Sequence, residues 1–158
     1  MAADSARQAA SGAGEGRAIP VPGTDNPYNP LAWFVGEPDI GEGTWIGPYC
    51  LIDGSGGLTI GRGCDISAGV HVYTHSSALR CITARSQPIE RRRVRIGNFT
   101  FIGANAVVLM GVTIGDHCMI GAGAVVTHDI PDRSLALGVP ARVVGSVDPT
   151  SGSIAYDR

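Results

Sequence analysis

Isoleucine and valine recur every six residues along most of the chain. The pattern begins with IGEGTW, IGPYCL and IDGSGG at Ile40, Ile46 and Ile52, and after a two-residue slip it resumes at Ile60. A helix would show apolar residues at spacings of three and four, and an amphipathic strand would alternate every two. A period of six fits neither. It predicts short strands joined by tight turns and repeated around a prism.

The fifth position of each hexad also favours a buried side chain. It is small or of modest size throughout, as at Thr44, Cys50, Cys64, Val70, Thr100, Ala106, Val112, Cys118 and Ala124. Glycine follows the first position in most hexads and allows backbone conformations that other residues reach less easily. We therefore expect the first and fifth positions to face the core, with the three fifth-position cysteines acting as small core residues.

Composition agrees with this architecture. The chain has 158 residues, of which 44% are hydrophobic and only 6% aromatic, with 23 glycines and 10 prolines. This balance predicts one aliphatic domain with many turns and disfavours a helical bundle. The net charge is -2 and all the basic residues are arginine, so there is no electrostatic case for nucleic-acid binding.

We predict four segments. Residues 1–18 are rich in alanine, glycine and serine and are expected to be disordered. Residues 19–39 contain several prolines and three aromatic residues, which predicts an irregular cap over the first coil. Residues 40–145 carry the repeats, and residues 146–158 are expected to form a flexible tail.

No apolar run approaches the ~20 residues of a membrane span, and the N-terminus lacks the apolar core of a signal peptide, so we expect a cytoplasmic location.

After a polar interruption the frame returns at Ile96 and ends in the run GVTIGDHCMIGAGAVVTHDIPDRSLALGVPARVVG. These motifs resemble the hexapeptide-repeat acyltransferases, in particular the sugar, galactoside and antibiotic O-acetyltransferases. The resemblance covers residues 40–145. It implies an all-β fold, a left-handed parallel β-helix with three hexads per coil, an extruded loop and a short C-terminal cap.

The interruption itself, residues 76–93, is too polar for a core and too short for a domain. In the family that the chain resembles, a loop leaves the helix just after a histidine that serves as general base, which implies this role for His75. Histidine suits proton abstraction near neutral pH. His71 and His117 are interpreted as surface residues, with His71 as a possible acceptor contact.

The same resemblance implies acetyl-CoA as the donor, with no metal ion. The residues implied for its binding lie in the C-terminal half: Phe101 beside the pantetheine arm, Gly103, Ala104, Gly121 and Ala122 through their backbone, His128 near a phosphate and Arg142 at the nucleotide phosphates. Guanidinium groups match phosphate oxygens well.

For the acceptor, a sugar or nucleotide-sugar, the resemblance implicates Asp53, His71 and Arg93. Arg91, Arg92, Arg93 and Arg95 re-enter the helix beside the loop, but alternate residues of a strand face opposite ways. They therefore cannot all contact one ligand. Transfer to an amino-sugar amine is the nearest variant of transfer to a hydroxyl.

Two other functions compete with this one. A γ-class carbonic anhydrase on the same helix would need three histidines around one metal, and the spacing of residues 71, 75, 117 and 128 does not match that family. A non-catalytic structural β-helix would leave the loop without a role. The acyltransferase hypothesis predicts direct transfer in a ternary complex, with polysaccharide modification as the expected role. The resemblance implies a homotrimer with sites between subunits.

Overall fold

The structure is a computed structural model that describes residues 27–157. The predictions for residues 1–18, and for the first part of the capping segment, therefore lie outside the described residues. Within residues 27–157 the chain forms eighteen short strands and one short helix, numbered in chain order. Most of the strands are two or three residues long, as expected from tight turns at every sixth residue.

The strands stack into three parallel sheets, which form the three faces of a prism. Face A contains β1 (Trp33–Val35), β4 (Leu51–Asp53), β7 (His71–Val72), β12 (Val107–Val108) and β15 (Val125–Val126). Face B contains β2 (Asp39–Ile40), β5 (Leu58–Ile60), β10 (Val94–Ile96) and β13 (Thr113–Ile114). Face C begins with β3 (Trp45–Ile46), β6 (Asp65–Ile66), β11 (Phe101–Ile102), β14 (Met119–Ile120) and β16 (Ser134–Leu137). The chain visits faces B, C and A in turn, so the predicted parallel β-helix is confirmed.

Strand register shows how the repeat departs from its period. Partners on consecutive coils are 18 residues apart where the frame is regular, as for Val107 and Val125. They are 20 residues apart across the slip, as for Leu51 and His71, and 36 apart across the interruption, as for His71 and Val107. Both departures occur at the corner where face A leads into face B. Because all three faces stay in register beyond it, the predicted return in phase is confirmed.

The core is a column of aliphatic side chains inside the prism. Eleven of the twelve first-position residues are at most 2% exposed, the exception being the half-buried Ile40 at the first coil. Burying each isoleucine contributes about 1.5–3 kcal/mol relative to leaving it in water. Cys50, Cys64 and Cys118 are 1%, 0% and 2% exposed, which confirms them as small core residues. Burial raises the pKa of all three thiols, so they stay protonated and unreactive.

The N-terminal part of the described chain pairs more regularly than its prolines predict. Strand β1 lies between Pro30 and Pro38 and pairs in parallel with β4, so it extends face A by one strand. Tyr28 stacks on Phe34 with ring centroids 5.5 Å apart. The prolines flank the strand instead of interrupting it, which leaves its own N–H groups free to pair.

The C-terminal segment also differs from the expected flexible tail. Strand β17 (Arg142–Val147) turns back antiparallel to β16, and β18 (Ile154–Tyr156) pairs antiparallel with β17. A turn closed by Asp148 joins the last two strands, with its carboxylate accepting hydrogen bonds from the Ser151 hydroxyl at 2.6 Å and the Thr150 N–H at 2.9 Å. Residues 142–156 therefore form the C-terminal cap, because β16 would otherwise leave an unpaired edge.

The interruption forms a small substructure of its own. Strand β8 (His75–Ser76) pairs antiparallel with β9 (Glu90–Arg91), and helix α1 (Ala78–Ile82) lies between them. This helix, the one helix within residues 27–157, has five residues and is too short to cross a membrane. The substructure projects from the corner between faces A and B.

Candidate active site

The corner between faces A and B brings Asp53 and His75 into direct contact. The Nδ1 atom of His75 lies 2.6 Å from Oδ2 of Asp53. Asp53 is fully buried, whereas the side chain of His75 is 37% exposed. The imidazole therefore has one edge held by a buried carboxylate and another accessible to a ligand.

Asp53 is held as a carboxylate by several donors. It accepts hydrogen bonds from the Thr74 N–H at 2.8 Å, the Thr74 hydroxyl at 2.9 Å and the Ser55 N–H at 2.9 Å. Burial raises the pKa of Asp53, but hydrogen bonds from Ser55, Thr74 and His75 outweigh burial and hold this pKa well below its ordinary value. The carboxylate of Asp53, which we expected at the acceptor, is fully buried and bonded to Thr74 and His75, so in this structure it orients His75, and its contact with an acceptor stays a prediction.

This pairing defines the chemistry available to His75. A carboxylate can only accept, so Nδ1 carries the proton and Nε2 keeps its lone pair; this tautomer is assigned from the hydrogen bond. The Ser55 hydroxyl lies 3.3 Å from the same Nδ1 atom and is the weaker of its two partners. His75 is thus oriented to accept a proton through Nε2.

The two-residue slip explains why Asp53 can reach His75. The extra residues widen the turn at residues 54–57, and the Gly56 N–H donates to the Thr74 hydroxyl at 2.8 Å. A side chain at Gly56 would collide with the Thr74 carbonyl oxygen, so glycine is required there. The sequence does contain a signal for this pair: one coil before the histidine, an acidic residue is followed by two extra residues. The sequence does not indicate how wide the resulting turn is.

Arg93 and His71, the other two residues predicted at the acceptor, lie on either side of this corner. Arg93 packs beside Gly57, and its Nη2 donates to Thr59 Oγ1 at 3.1 Å, which directs it along face B. His71 lies on face A, with its Nδ1 3.1 Å from the Tyr73 hydroxyl. Both flank the Asp53–His75 pair without contacting it.

The backbone predicted to bind the donor lies at another corner, where face C leads into face A. The Gly103 N–H donates to the Ile120 carbonyl at 2.8 Å, so this amide serves coil stacking. A Cβ at Gly103 would lie 2.5 Å from the Ala122 nitrogen, which makes glycine necessary for the close approach of the coils. The Gly121 N–H is likewise bonded, to the Ala136 carbonyl at 2.9 Å.

The neighbouring alanines differ in this respect. Within residues 27–157, the backbone N–H groups of Ala104 and Ala122 have no hydrogen-bond acceptor. Ala122 is exposed and Ala104 half-buried. These two N–H groups are one coil apart and free to bind a ligand. Phe101, 40% exposed, lies on face C shortly before this corner, between Asp65 and Met119.

His128 and Arg142 come together at the C-terminal end of the prism. They line an open depression of about 320 Å³ that also contains Asp129, Ile130, Ala141 and Val143. His128 Nδ1 lies 2.8 Å from the Thr127 hydroxyl, and Arg142 is exposed. Because residues 127–129 follow β15 and precede face B, this depression lies on the same side of the prism as His75, two coils further along.

In a single chain, therefore, the residues predicted for catalysis and donor binding lie at two different corners of the prism. The corner between faces A and B carries His75 and, further along, His128 and Arg142. The corner between faces C and A carries Ala104 and Ala122, with face A between the two corners. Within residues 27–157 of one chain, no three His, Cys, Asp or Glu side chains come together as a metal site.

Comparison with known proteins agrees with the fold. Residues 39–74 match the family model "Hexapeptide repeat of succinyl-transferase", and residues 93–128 match "Bacterial transferase hexapeptide (six repeats)". The gap between the two matches contains residues 75–92. The interruption is thus an insertion into an otherwise continuous repeat.

Relatives with curated names include acetyltransferases. The chain is 37% identical over 110 residues to a provisionally named acetyltransferase of Staphylococcus aureus (strain COL), covering 69% of this chain and 55% of that protein. It is 30% identical over 129 residues to the galactoside O-acetyltransferase of Escherichia coli (strain K12), covering 69% of this chain and 64% of that protein. The chain thus spans between half and two thirds of the length of these relatives.

A solved structure shows the same architecture. The hexapeptide-repeat-containing acetyltransferase VCA0836 from Vibrio cholerae O1 biovar eltor, complexed with acetyl coenzyme A, is 29% identical. It superposes with a TM-score of 0.65 over 74% of this chain and 64% of that chain. Together with the stacked hexads, these matches show that the chain belongs to the hexapeptide-repeat acyltransferase family.

Proposed function

We propose that this protein is an acetyltransferase that moves the acetyl group of acetyl-CoA to a sugar hydroxyl, with His75 as general base. The observation that carries the proposal is the 2.6 Å contact between His75 and the buried Asp53, located where the insertion leaves the prism. A partly exposed histidine oriented by a buried carboxylate is the arrangement that general-base catalysis requires.

In the proposed mechanism, His75 Nε2 takes the proton of the acceptor hydroxyl as its oxygen attacks the thioester carbonyl carbon. Asp53 stabilises the imidazolium that forms. The carbon–sulfur bond then breaks, and His75 returns the proton to the departing thiolate, so the imidazole ends as it began. A backbone N–H would stabilise the negative charge on the thioester oxygen during the step. The Ser55 hydroxyl lies at the protonated Nδ1 of His75 and not at the lone pair of Nε2, so the proposed base cannot activate it to carry the acetyl group, which favours direct transfer.

The proposed donor site uses the groups that the structure leaves available. The N–H groups of Ala104 and Ala122 suit the amide oxygens of the pantetheine arm, with Phe101 packing beside it. Arg142 and His128, in one depression, suit the phosphates. The fit rests on these two N–H groups, which have no hydrogen-bond acceptor within residues 27–157.

The acceptor class is proposed from the relatives. The named galactoside O-acetyltransferase favours a sugar hydroxyl, and transfer to an amino-sugar amine is the nearest variant. Arg93 and His71 flank the base and are proposed to contact the acceptor. The cytoplasm, where acetyl-CoA is available, is the proposed location.

We also propose a homotrimer with its sites between subunits. One chain presents the base at one corner and the free N–H groups at another, so a neighbouring copy would supply the missing half of each site. A closed ring achieves this with identical contacts, because every subunit offers the same two corners to its two neighbours.

The test of the function is His75→Ala, assayed by thiol release from acetyl-CoA with a panel of sugar acceptors. Loss of a general base should lower kcat by about 10²- to 10⁴-fold while KM for acetyl-CoA changes little. Ser55→Ala, which removes a hydroxyl beside both Asp53 and the imidazole but keeps the direct contact between His75 and Asp53, is the control and should stay within a few-fold of the wild type. Near-normal turnover by His75→Ala would show that another group is the base.

The shared site can be tested by complementation. His75→Ala chains and Ala122→Trp chains, the latter blocked at the other corner, are unfolded and refolded together. Mixed trimers would contain interfaces with both corners intact, so part of the activity should return. Mixed trimers confirmed by mass that stay inactive would place both halves of the site in one chain.

A further inference from the structure

The insertion concentrates positive charge beside the base. Residues 76–93 contain five arginines and one glutamate, a net charge of +4, although the whole chain has a net charge of -2. The single carboxylate, Glu90, is bound by Arg92 at 3.1 Å. Within residues 27–157, Arg80 and Arg85 have no carboxylate within ion-pair distance. Neither guanidinium group is therefore neutralised by a protein anion, a property that they share with every arginine of this range except Arg92.

These two arginines line one cavity. It has a volume of about 420 Å³ and is lined by Ser77, Arg80, Cys81, Ala84 and Arg85; we call it the loop cavity. This volume lies within the range of small-molecule sites, about 300–1,000 Å³. Ser77 directly follows β8, the strand that begins with His75, so the loop cavity belongs to the insertion that starts at the proposed base.

Backbone geometry holds the two arginines at the cavity. At the end of α1 the Arg85 N–H donates to the Arg80 carbonyl at 2.7 Å, and the Ala84 N–H donates to the Cys81 carbonyl at 3.2 Å. This pair of bonds is the Schellman motif, which reverses the chain and usually requires glycine. Here Ala84 and Arg85 have φ of 49° and 69°, although neither is glycine.

Left-handed backbone at non-glycine residues is unfavourable, and such strain tends to persist at functional sites. At this turn the strain returns the chain so that Arg85 comes back beside Arg80. The observation is independent of the charge count. Five other non-glycine residues in turns of the prism also have positive φ, so the inference rests on the position of Arg80 and Arg85 at one cavity, which this turn maintains.

We propose that the loop cavity binds an anionic group of the acceptor, a phosphate or carboxylate attached to the sugar. The inference rests on the proposed function and specifies its acceptor class. Two guanidinium forks without internal partners match the oxygens of such a group, and the Ser77 hydroxyl can add a donor. The phosphates of the donor have a separate proposed site at His128 and Arg142, two coils away. The loop arginines are thus available to the acceptor.

The experiment compares Arg80→Gln, Arg85→Gln and the double variant with the wild type in full-length protein. Arg133→Gln, which removes one exposed arginine at the corner between faces B and C, is the control for charge alone. Acceptors are used in matched sets: a neutral hexose, its 6-phosphate, its uronic acid and a nucleotide-diphosphate hexose. Thiol release gives kcat/KM for each acceptor and KM for acetyl-CoA.

We expect the wild type to prefer at least one anionic acceptor over the neutral hexose. The double variant should lose about 10- to 100-fold in kcat/KM on that acceptor, with little change on the neutral hexose or in KM for acetyl-CoA. The acceptor whose kcat/KM falls most in the double variant shows whether the bound anion is a sugar phosphate, a carboxylate or a nucleotide diphosphate. Equal losses on neutral and anionic acceptors, or a raised KM for acetyl-CoA alone, would overturn the proposal.

Direct binding separates this proposal from the proposed function. Calorimetric titration of the hexose 6-phosphate, the uronic acid and the nucleotide-diphosphate hexose needs no turnover. Weaker binding of an anionic sugar to the double variant than to Arg133→Gln would support the loop cavity even if thiol release failed with every acceptor. Equal binding to the wild type and the double variant would overturn the proposal whatever the turnover shows.

Discussion

Asp53→Asn is the sharpest test of the buried pair, because it preserves volume while removing the charge. In the carboxylate, Oδ2 accepts from the Thr74 N–H and from His75 Nδ1, and Oδ1 accepts from the Ser55 N–H. An asparagine must place its NH₂ group at one of these two positions. Either orientation sets a donor against at least one backbone N–H, since both positions are occupied by donors.

The size of the effect follows from these contacts. A hydrogen bond to a charged group contributes about 1.5–3 kcal/mol, and stabilisation of the imidazolium by Asp53 is a bond of this kind. At about 1.36 kcal/mol for each factor of ten, kcat should fall about 10- to 100-fold. A buried donor left without a partner costs a further ~1–3 kcal/mol, which appears in the free energy of unfolding.

The assay measures thiol release at saturating acetyl-CoA, together with urea unfolding at pH 7. KM for acetyl-CoA should be unchanged, since the donor site is separate from Asp53, and this constant also reports that the variant is folded. A kcat within two-fold of the wild type, in a variant whose unfolding free energy is lowered, would show that Asp53 is purely structural and that our account of the base is mistaken.

Further predictions concern stability and the donor site. The pKa of Asp53 is lower in the folded than in the unfolded state, so the ionised carboxylate stabilises the fold fully above the unfolded pKa of about 3.9 and progressively less as pH falls below it. Between pH 7 and pH 3, the free energy of unfolding in urea should therefore fall less for Asp53→Asn than for the wild type. Arg142→Ala should raise KM for acetyl-CoA with kcat nearly unchanged, and an unaltered KM in thiol-release kinetics would remove Arg142 from the donor site. Ile102→Ala, at a fully buried position, should lower the unfolding free energy in urea by about 2–5 kcal/mol. Ala84→Gly, which relieves a φ of 49°, should raise it by about 1 kcal/mol, and a destabilised variant would refute the strain at this turn.

The repeat could be predicted from sequence because its period determines which side chains face inward. Ile102 and Val108 are fully buried as the first positions of their hexads require, and the cysteines at fifth positions follow the same rule. Such predictions need only local spacing, since each coil repeats the geometry of the one before it.

Features that depend on the departures from the period could not be predicted in the same way. The contact between Asp53 and His75 depends on the width of the turn at residues 54–57, and two added residues can widen a turn in several ways. The pairing of β18 with β17 depends on an edge left open at the end of the prism, which a loose-looking sequence such as SVDPTSGSIAYDR does not reveal. The reversal at Ala84 and Arg85 lacks the glycine that would normally signal it.

The three-faced register also restricts how the length of this chain can change. Removing 18 residues from the regular coils would shorten the prism by one coil, and every remaining strand would still pair with a strand of the same face. Removing six would rotate everything beyond the cut by a third of a turn, so the depression at His128 and Arg142 would move away from the edge that carries His75. Insertions at a corner escape this restriction when the chain re-enters at the same face, as it does at Val94. Within the faces, therefore, the number of residues can change only in steps of 18 if the coils are to stay aligned. At a corner, a loop of any size can be inserted without rotating one part of the molecule relative to the other.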